Sequence, residues 1–158
     1  MGHSISAVIV REPFDAGAAE RWDVISAPLD AGLRLIHLSP EYIDYWRSRH
    51  GATADLDVPA AFPDEFPRAG FLSALAAAVT GREDPTFAVV LTEYFGGVGD
   101  QWACVFVAGR RQETDGTIND ALRVLGVRAA GDADEFDTVG LGRHRTTPEY
   151  LSYYPDED

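Results

Sequence analysis

Two runs of strand-forming residues, Thr86 to Tyr94 and Gln101 to Ala108, face each other across the connection Phe95-Gly96-Gly97-Val98-Gly99-Asp100. β-Branched and aromatic residues on both sides of a short glycine-rich link are the pattern of a β-hairpin. A hairpin pairs antiparallel by construction, so a sheet built around residues 86–108 is mainly antiparallel. The remaining elements do not supply the strand–helix alternation that a parallel sheet needs.

Around this hairpin the chain offers further elements. His3 to Val10 reads as a first strand, and Pro13-Phe14-Asp15 opens a short helical stretch through Ala18, Ala19 and Trp22. Leu33 to Leu38 is a second strand. Ser39-Pro40-Glu41 then combines an N-cap, a proline at the first helical position and an acid in the first turn, which predicts a helix through Arg49. Ala69 to Val79 is helical with Gly81 placed to end it, and Thr117 caps a helix carrying Ile118, Leu122 and Leu125 on one stripe. The acidic run Asp132 to Glu135 reads as a solvated loop, followed by a short edge strand over Phe136 to Leu141. Between His50 and Arg68, Pro59, Pro63 and Pro67 forbid a regular element, leaving a long surface loop or lid. The expected fold is α+β: an antiparallel sheet of about four to six strands with helices on one face or at its ends. Residues 1–154 form one domain, and 155–158 are a frayed acidic tail.

Composition mainly excludes. With 158 residues, 46% of them hydrophobic and 25% charged, the chain can bury a core without staples. All 13 basic residues are arginine. A lysine Schiff base, a lysine general base and a P-loop lysine are therefore impossible, and the lysine-free, Ala- and Arg-rich usage suggests a high-GC bacterial gene. A net charge of −13 argues against nucleic acid as a partner, because phosphate binding needs a cationic face. The single cysteine, Cys104, lies in an apolar strand and reads as a small buried hydrophobe, with neither a disulfide nor a Cys-rich metal site to join. No run approaches the roughly 18 apolar residues of a membrane span, and no signal peptide is evident, so a cytoplasmic location is expected. Met1-Gly2-His3-Ser4-Ile5-Ser6 matches the myristoylation pattern in form, but the following strand ties this end into the fold.

Several constellations are candidates for a site. Gly96, Gly97 and Gly99 expose backbone N–H groups that can nest an anion, although a strand, not a helix, follows them. Glu93, Asp100 and Glu113 are acids near hairpin ends, of the kind that do acid–base work when paired. Arg143-His144-Arg145 is a basic knot in an acidic chain, placed just before a second helix start at Thr147-Pro148-Glu149, and suits either a small anion or internal ion pairs. His3, His37, His50 and His144 lack metal-ligand spacing, and no G-x-S-x-G elbow is present; neither a metal, a cofactor nor a catalytic residue is assigned. Two aromatic stripes, one of Tyr42, Tyr45 and Trp46 and the other of Tyr150, Tyr153 and Tyr154, suit either core packing or an interface. Segments 39–46 and 147–154 match at nearly every position, through a diverged repeat or through reuse of one helix start.

No segment carries a reaction signature specific enough to name an activity. Small size, acidity and aromatic patches make the chain similar, in class and not in any motif, to the small acidic proteins that neutralise basic toxins in bacteria. The leading expectation is a non-enzymatic domain that binds a basic protein. Two alternatives stand beside it: a small enzyme or anion-binding protein using Arg143-His144-Arg145 with the Gly96 to Gly99 turn, and a homo-oligomeric, for instance dimeric, scaffold subunit.

Overall fold

The structure, a computed structural model, describes residues 2–50, 55–95 and 98–145. Its elements in chain order are β1 (Ser6–Arg11), α1 (Ala16–Arg21), β2 (Ile25–Leu29), β3 (Leu33–His37), α2 (Pro40–His50), α3 (Phe71–Thr80), β4 (Phe87–Phe95), β5 (Val98–Val107), β6 (Arg110–Arg111), α4 (Ile118–Val124) and α5 (Glu135–Thr138). The six strands form one antiparallel sheet in the order β2-β3-β1-β4-β5-β6. The α+β class and the β4–β5 hairpin are thus as the sequence implies. β4 is one of the two central strands, and β1, the first strand in the chain, is the other.

The helices cover both faces of the sheet, whereas one face or the ends had been expected. The reason is in the strands: Ala7 to Val10 and Phe87 to Leu91 are apolar without interruption, so side chains pointing either way need cover. Val8, Val10, Ile36, Val89 and Phe106 pack under α1, α2 and α3. Ala7, Ile9, Leu35, Val90 and Val105 pack under α4 and the residues around α5. Each large apolar side chain removed from water in these layers contributes about 1.5–3 kcal/mol.

Local signals set the helix ends. The Asp15 carboxylate accepts from the Ala18 amide, the Ser39 hydroxyl from Tyr42 and the Thr117 hydroxyl from Asp120, each closing an orphan donor of a first turn. Gly81 ends α3 in the left-handed region, at φ 70°, where a side chain would be strained. β2 was not anticipated. It is an edge strand carrying Pro28, a residue that only an edge tolerates and that argues against a strand in sequence, although Ile25, Ala27 and Leu29 alternate around Ser26 and Pro28.

The C-terminal part of the described chain corrects one expectation. Residues 135–138 form a helical turn, and Leu141–Arg143 a 3-10 turn, where an edge strand over 136–141 was expected. The Asp134 side chain caps the turn by accepting from the Asp137 amide, and the Asn119 side chain accepts from Phe136. Phe136, Val139 and Leu141 then turn onto the layer under α4. The acidic run thus holds an N-cap, and its last member, Glu135, is buried and receives the Arg123 guanidinium at 2.7 Å. The expected helix start at 147–149, the second aromatic stripe of Tyr150, Tyr153 and Tyr154, the second member of the 39–46 repeat and the acidic tail all lie outside the described residues.

Candidate functional site

At the end of the sheet where β1 begins and β3 and β4 run out, the α2 layer leaves a groove of 610 Å³. One wall is the first half of α2, seated by the Ser39 cap and by Tyr42, whose hydroxyl donates to the Trp22 carbonyl at 2.6 Å. The other wall is the proline-spaced segment read as a loop or lid. Its described part has no regular structure yet is tightly held: Phe66 is buried in the core, and the Arg68 guanidinium donates to the carbonyls of Phe62 and Pro63 at 2.9 and 3.0 Å. The Leu56 amide donates back to the Arg68 carbonyl at 2.7 Å. An arginine side chain that satisfies two carbonyls of irregular chain does part of the work that secondary structure does elsewhere.

The floor of the groove is apolar, with Leu38, Phe66 and Leu91, and Ser4 and Ser6 add neutral hydroxyls. Its rim is acidic: four carboxylates, of Asp44, Asp55, Asp64 and Glu65, against the two guanidiniums of Arg47 and Arg68. Arg68 is occupied by backbone carbonyls and Arg47 lies 4.0 Å from Asp55, so the field at the mouth is negative. An apolar floor with an acidic rim fits an apolar segment that carries cations.

The same face of the sheet continues onto the hairpin. Cross-strand partners step outward as Phe87 with Phe106, Val89 with Cys104, Leu91 with Trp102, Glu93 with Asp100 and Phe95 with Val98, all on the α2 side. The register of β1 on β4 sets Ser4, in the groove, opposite Glu93. Glu113, grouped with these acids in the sequence, is instead drawn to Arg111 at 3.4 Å. Gly99 is required by a close approach, because a Cβ there would overlap the Glu93 carbonyl oxygen and meet the Tyr94 backbone. Gly96 and Gly97 lie outside the described residues. On the opposite face Gln101 braces the hairpin: its amide nitrogen donates to the Tyr94 hydroxyl at 2.9 Å and its carbonyl oxygen accepts from the Ile118 amide at 2.8 Å. Replacing Gln101 with Leu removes both bonds and leaves the first amide of α4 unsatisfied. A loss of about 1–2 kcal/mol in urea unfolding is expected, with faster hydrogen exchange at Ile118.

Three of the four histidines, distant in sequence, gather at the other side of this sheet end. His3 is fixed at both ring nitrogens: Nε2 donates to the Leu141 carbonyl, which can only accept, at 3.1 Å, and Nδ1 lies 2.7 Å from the Thr92 hydroxyl, which also accepts from the Ile5 amide at 3.0 Å. His37 is buried with its Nδ1 unpartnered among the described residues, and the His144 ring sits edge-on to it at 6.3 Å. Burial, aided by the charge of His144, pushes His37 down to about 4, and His144 is itself lowered by burial and by Arg143 and His3. His37 and His144 are therefore neutral imidazoles at neutral pH. No three metal-ligating side chains converge among the described residues.

The basic knot is spent locally. Arg143 lies 3.3 Å from the Asp30 carboxylate and donates to the Gly140 carbonyl, while Arg145 donates to the Gly142 carbonyl. The Arg145 backbone carbonyl accepts from the Ser4 amide at 2.7 Å, tying this segment to the start of β1. Cys104 is buried and burial pushes its thiol up to about 11, which leaves it un-ionised and poorly nucleophilic. Within the first aromatic stripe Tyr42 is fully buried in the core and Trp46, partly buried, stacks on Trp22 at 4.9 Å, while Tyr45, half-buried, meets the Trp46 ring edge-on and has the Arg49 guanidinium over its ring. Tyr150, Tyr153 and Tyr154, the other stripe, are not among the described residues. The groove itself was not legible in the sequence. Its walls are named there, but only the tertiary fold brings residues 4–6, 38–47 and 64–68 together.

No protein-family model, curated protein or solved structure matches the chain. Among the described residues, no helix is long and apolar enough to cross a membrane.

Proposed function

We propose that the protein is a non-enzymatic binding domain whose acid-rimmed groove takes a basic segment of another protein. The observation that carries this reading is the 610 Å³ groove itself, with an apolar floor and twice as many carboxylates as guanidiniums around it. The chain-wide charge of −13 extends the same field and would steer a cationic partner into place. The anion-binding alternative draws less support, since Arg143 has a carboxylate beside it and Arg145 a carbonyl.

The test is a pull-down from the source lysate at about 0.15 M salt, where exposed charges beyond roughly 8 Å are largely screened. A single stoichiometric partner with more Arg and Lys than Asp and Glu is expected. Asp64→Asn combined with Glu65→Gln removes two rim charges without touching the Arg68 bonds, and is expected to weaken that complex roughly tenfold, mostly through a slower association rate at low salt. An acidic or neutral partner, or undiminished affinity in the double variant, overturns the reading.

A further inference from the structure

Phe95 and Val98 are paired directly across β4 and β5, yet they are 72% and 77% exposed. The only other large apolar side chain exposed among the described residues is Val124, at 39%. Every pair inward of Glu93 and Asp100 on this face packs into the core, so the outermost pair is an apolar knob set apart from the core by two acids. Those acids stand directly opposite each other on an antiparallel ladder, and among the described residues neither has a cation beside it. Like charges at such a position oppose pairing. The arrangement works against the stability of the free protein and favours any partner that brings a positive charge between them.

We propose that the outer end of the β4–β5 hairpin is an insertion element, whose knob of Phe95 and Val98 enters an apolar pocket on a basic partner while Glu93 and Asp100 meet cations on that pocket's rim. The inference rests on the reading of the protein as a binder of a basic partner, and adds the part of the surface that anchors it. Geometry makes the hairpin fit for this role. It is held from behind by Gln101, between Tyr94 and the start of α4, which fixes the strand positions just inward of the knob. Its α2-side face continues directly into the groove through Ser4 and Leu91, so knob, acidic collar and groove form one surface. Charge decides the occupant. A second copy of this chain would bring the acidic rim of its own groove against the acidic collar, whereas a basic protein relieves both. Large apolar side chains seated in a desolvated pocket, ringed by contacts that exclude water, have the arrangement of a binding anchor.

A random peptide library displayed on phage, panned against the intact protein and then against variants, tests this directly. Enriched peptides should join an apolar residue to Arg or Lys. Their affinity should fall at least about tenfold with Phe95→Ser plus Val98→Ser. It should also fall with Glu93→Gln plus Asp100→Asn, more steeply in low salt. Both knob positions are exposed, so the knob variant should keep the wild-type thermal midpoint; if it does not, Val98→Ser alone replaces it. Peptides that bind the knob variant unchanged but lose affinity for Asp64→Asn plus Glu65→Gln would overturn the hairpin's role and leave the groove reading standing. Peptides indifferent to both variants would overturn both. Acidic consensus sequences, or a concentration-dependent dimer in light scattering that the knob variant abolishes, would each overturn the assignment to a basic partner.

Discussion

Acidification from pH 7 toward 4 is expected to cost the wild-type protein about 3 kcal/mol that a His37→Leu variant retains. His37 ends β3, is 4% exposed, and has no partner at Nδ1 among the described residues. Its folded value of about 4 lies below the ordinary 6.5 because burial penalises the charged ring, with His144 adding to the penalty. Between those two values the unfolded chain binds the proton and the folded chain does not. The stabilisation is therefore present in full above pH 6.5 and is lost as pH falls toward 4, at up to about 1.4 kcal/mol per pH unit. His144, lowered in the same direction, adds to the loss.

Other groups act in the same range. The net charge of −13 shrinks as carboxylates protonate, which relieves self-repulsion and stabilises the fold on the way to the isoelectric point near 4.5. Glu135 and Asp120 act oppositely. Hydrogen bonds from Arg123 to Glu135 and from the Asp115 amide to Asp120 hold both carboxyls below their usual values, so their contribution disappears only at still lower pH. The difference between wild type and His37→Leu, measured by urea unfolding at about pH 7, 6, 5 and 4.5, cancels these common terms. A difference that widens steadily below about pH 6.5 is the expected result, and parallel curves would show that the ring is not held neutral.

The contrast between what could and could not be read from the chain follows from the range of the interactions. The β4–β5 hairpin, α2, α3 and α4 are announced by residues that act on their near neighbours: a glycine-rich link, Ser39 and Thr117 as caps, Gly81 as a stop. β2 has no such announcement, because Ile25–Leu29 becomes a strand only by pairing with β3. The 136–141 segment was misread because its apolar residues fit a two-residue period loosely, while the decisive contacts, from Asn119 to Phe136 and from Arg123 to Glu135, cross to another helix. The site divides in the same way. Glu93, Asp100 and the hairpin glycines are visible in sequence, and so is the proline-spaced loop. That Ser4, Leu38 and Phe66 share a groove with four acids depends on the order of strands, which short-range patterns do not encode.

Tyr42 connects the two halves of this picture, since the aromatic stripe it heads could serve as core or as interface. Its ring is fully buried against Trp46 and Phe71, at 6.2 and 6.5 Å, and its hydroxyl reaches the Trp22 carbonyl across the turn that follows α1. Tyr42→Ala empties a large aromatic site and is expected to cost about 3–5 kcal/mol, a large share of the roughly 5–15 kcal/mol that holds a domain of this kind together. Tyr42→Phe keeps the ring and loses the hydroxyl, so about 1 kcal/mol is expected. Tyr45, half-buried on the outer side of the helix, should cost less than Tyr42 when replaced by Ala. Urea unfolding of the three variants ranks them. The ranking also bears on binding, because Ile43, Asp44 and Arg47 form the groove wall only while Tyr42 seats α2 against α3. Tyr42→Ala should thus weaken groove binding together with stability, whereas Tyr42→Phe should leave binding intact. A stripe used as an interface would give the reverse pattern, with binding lost and stability kept.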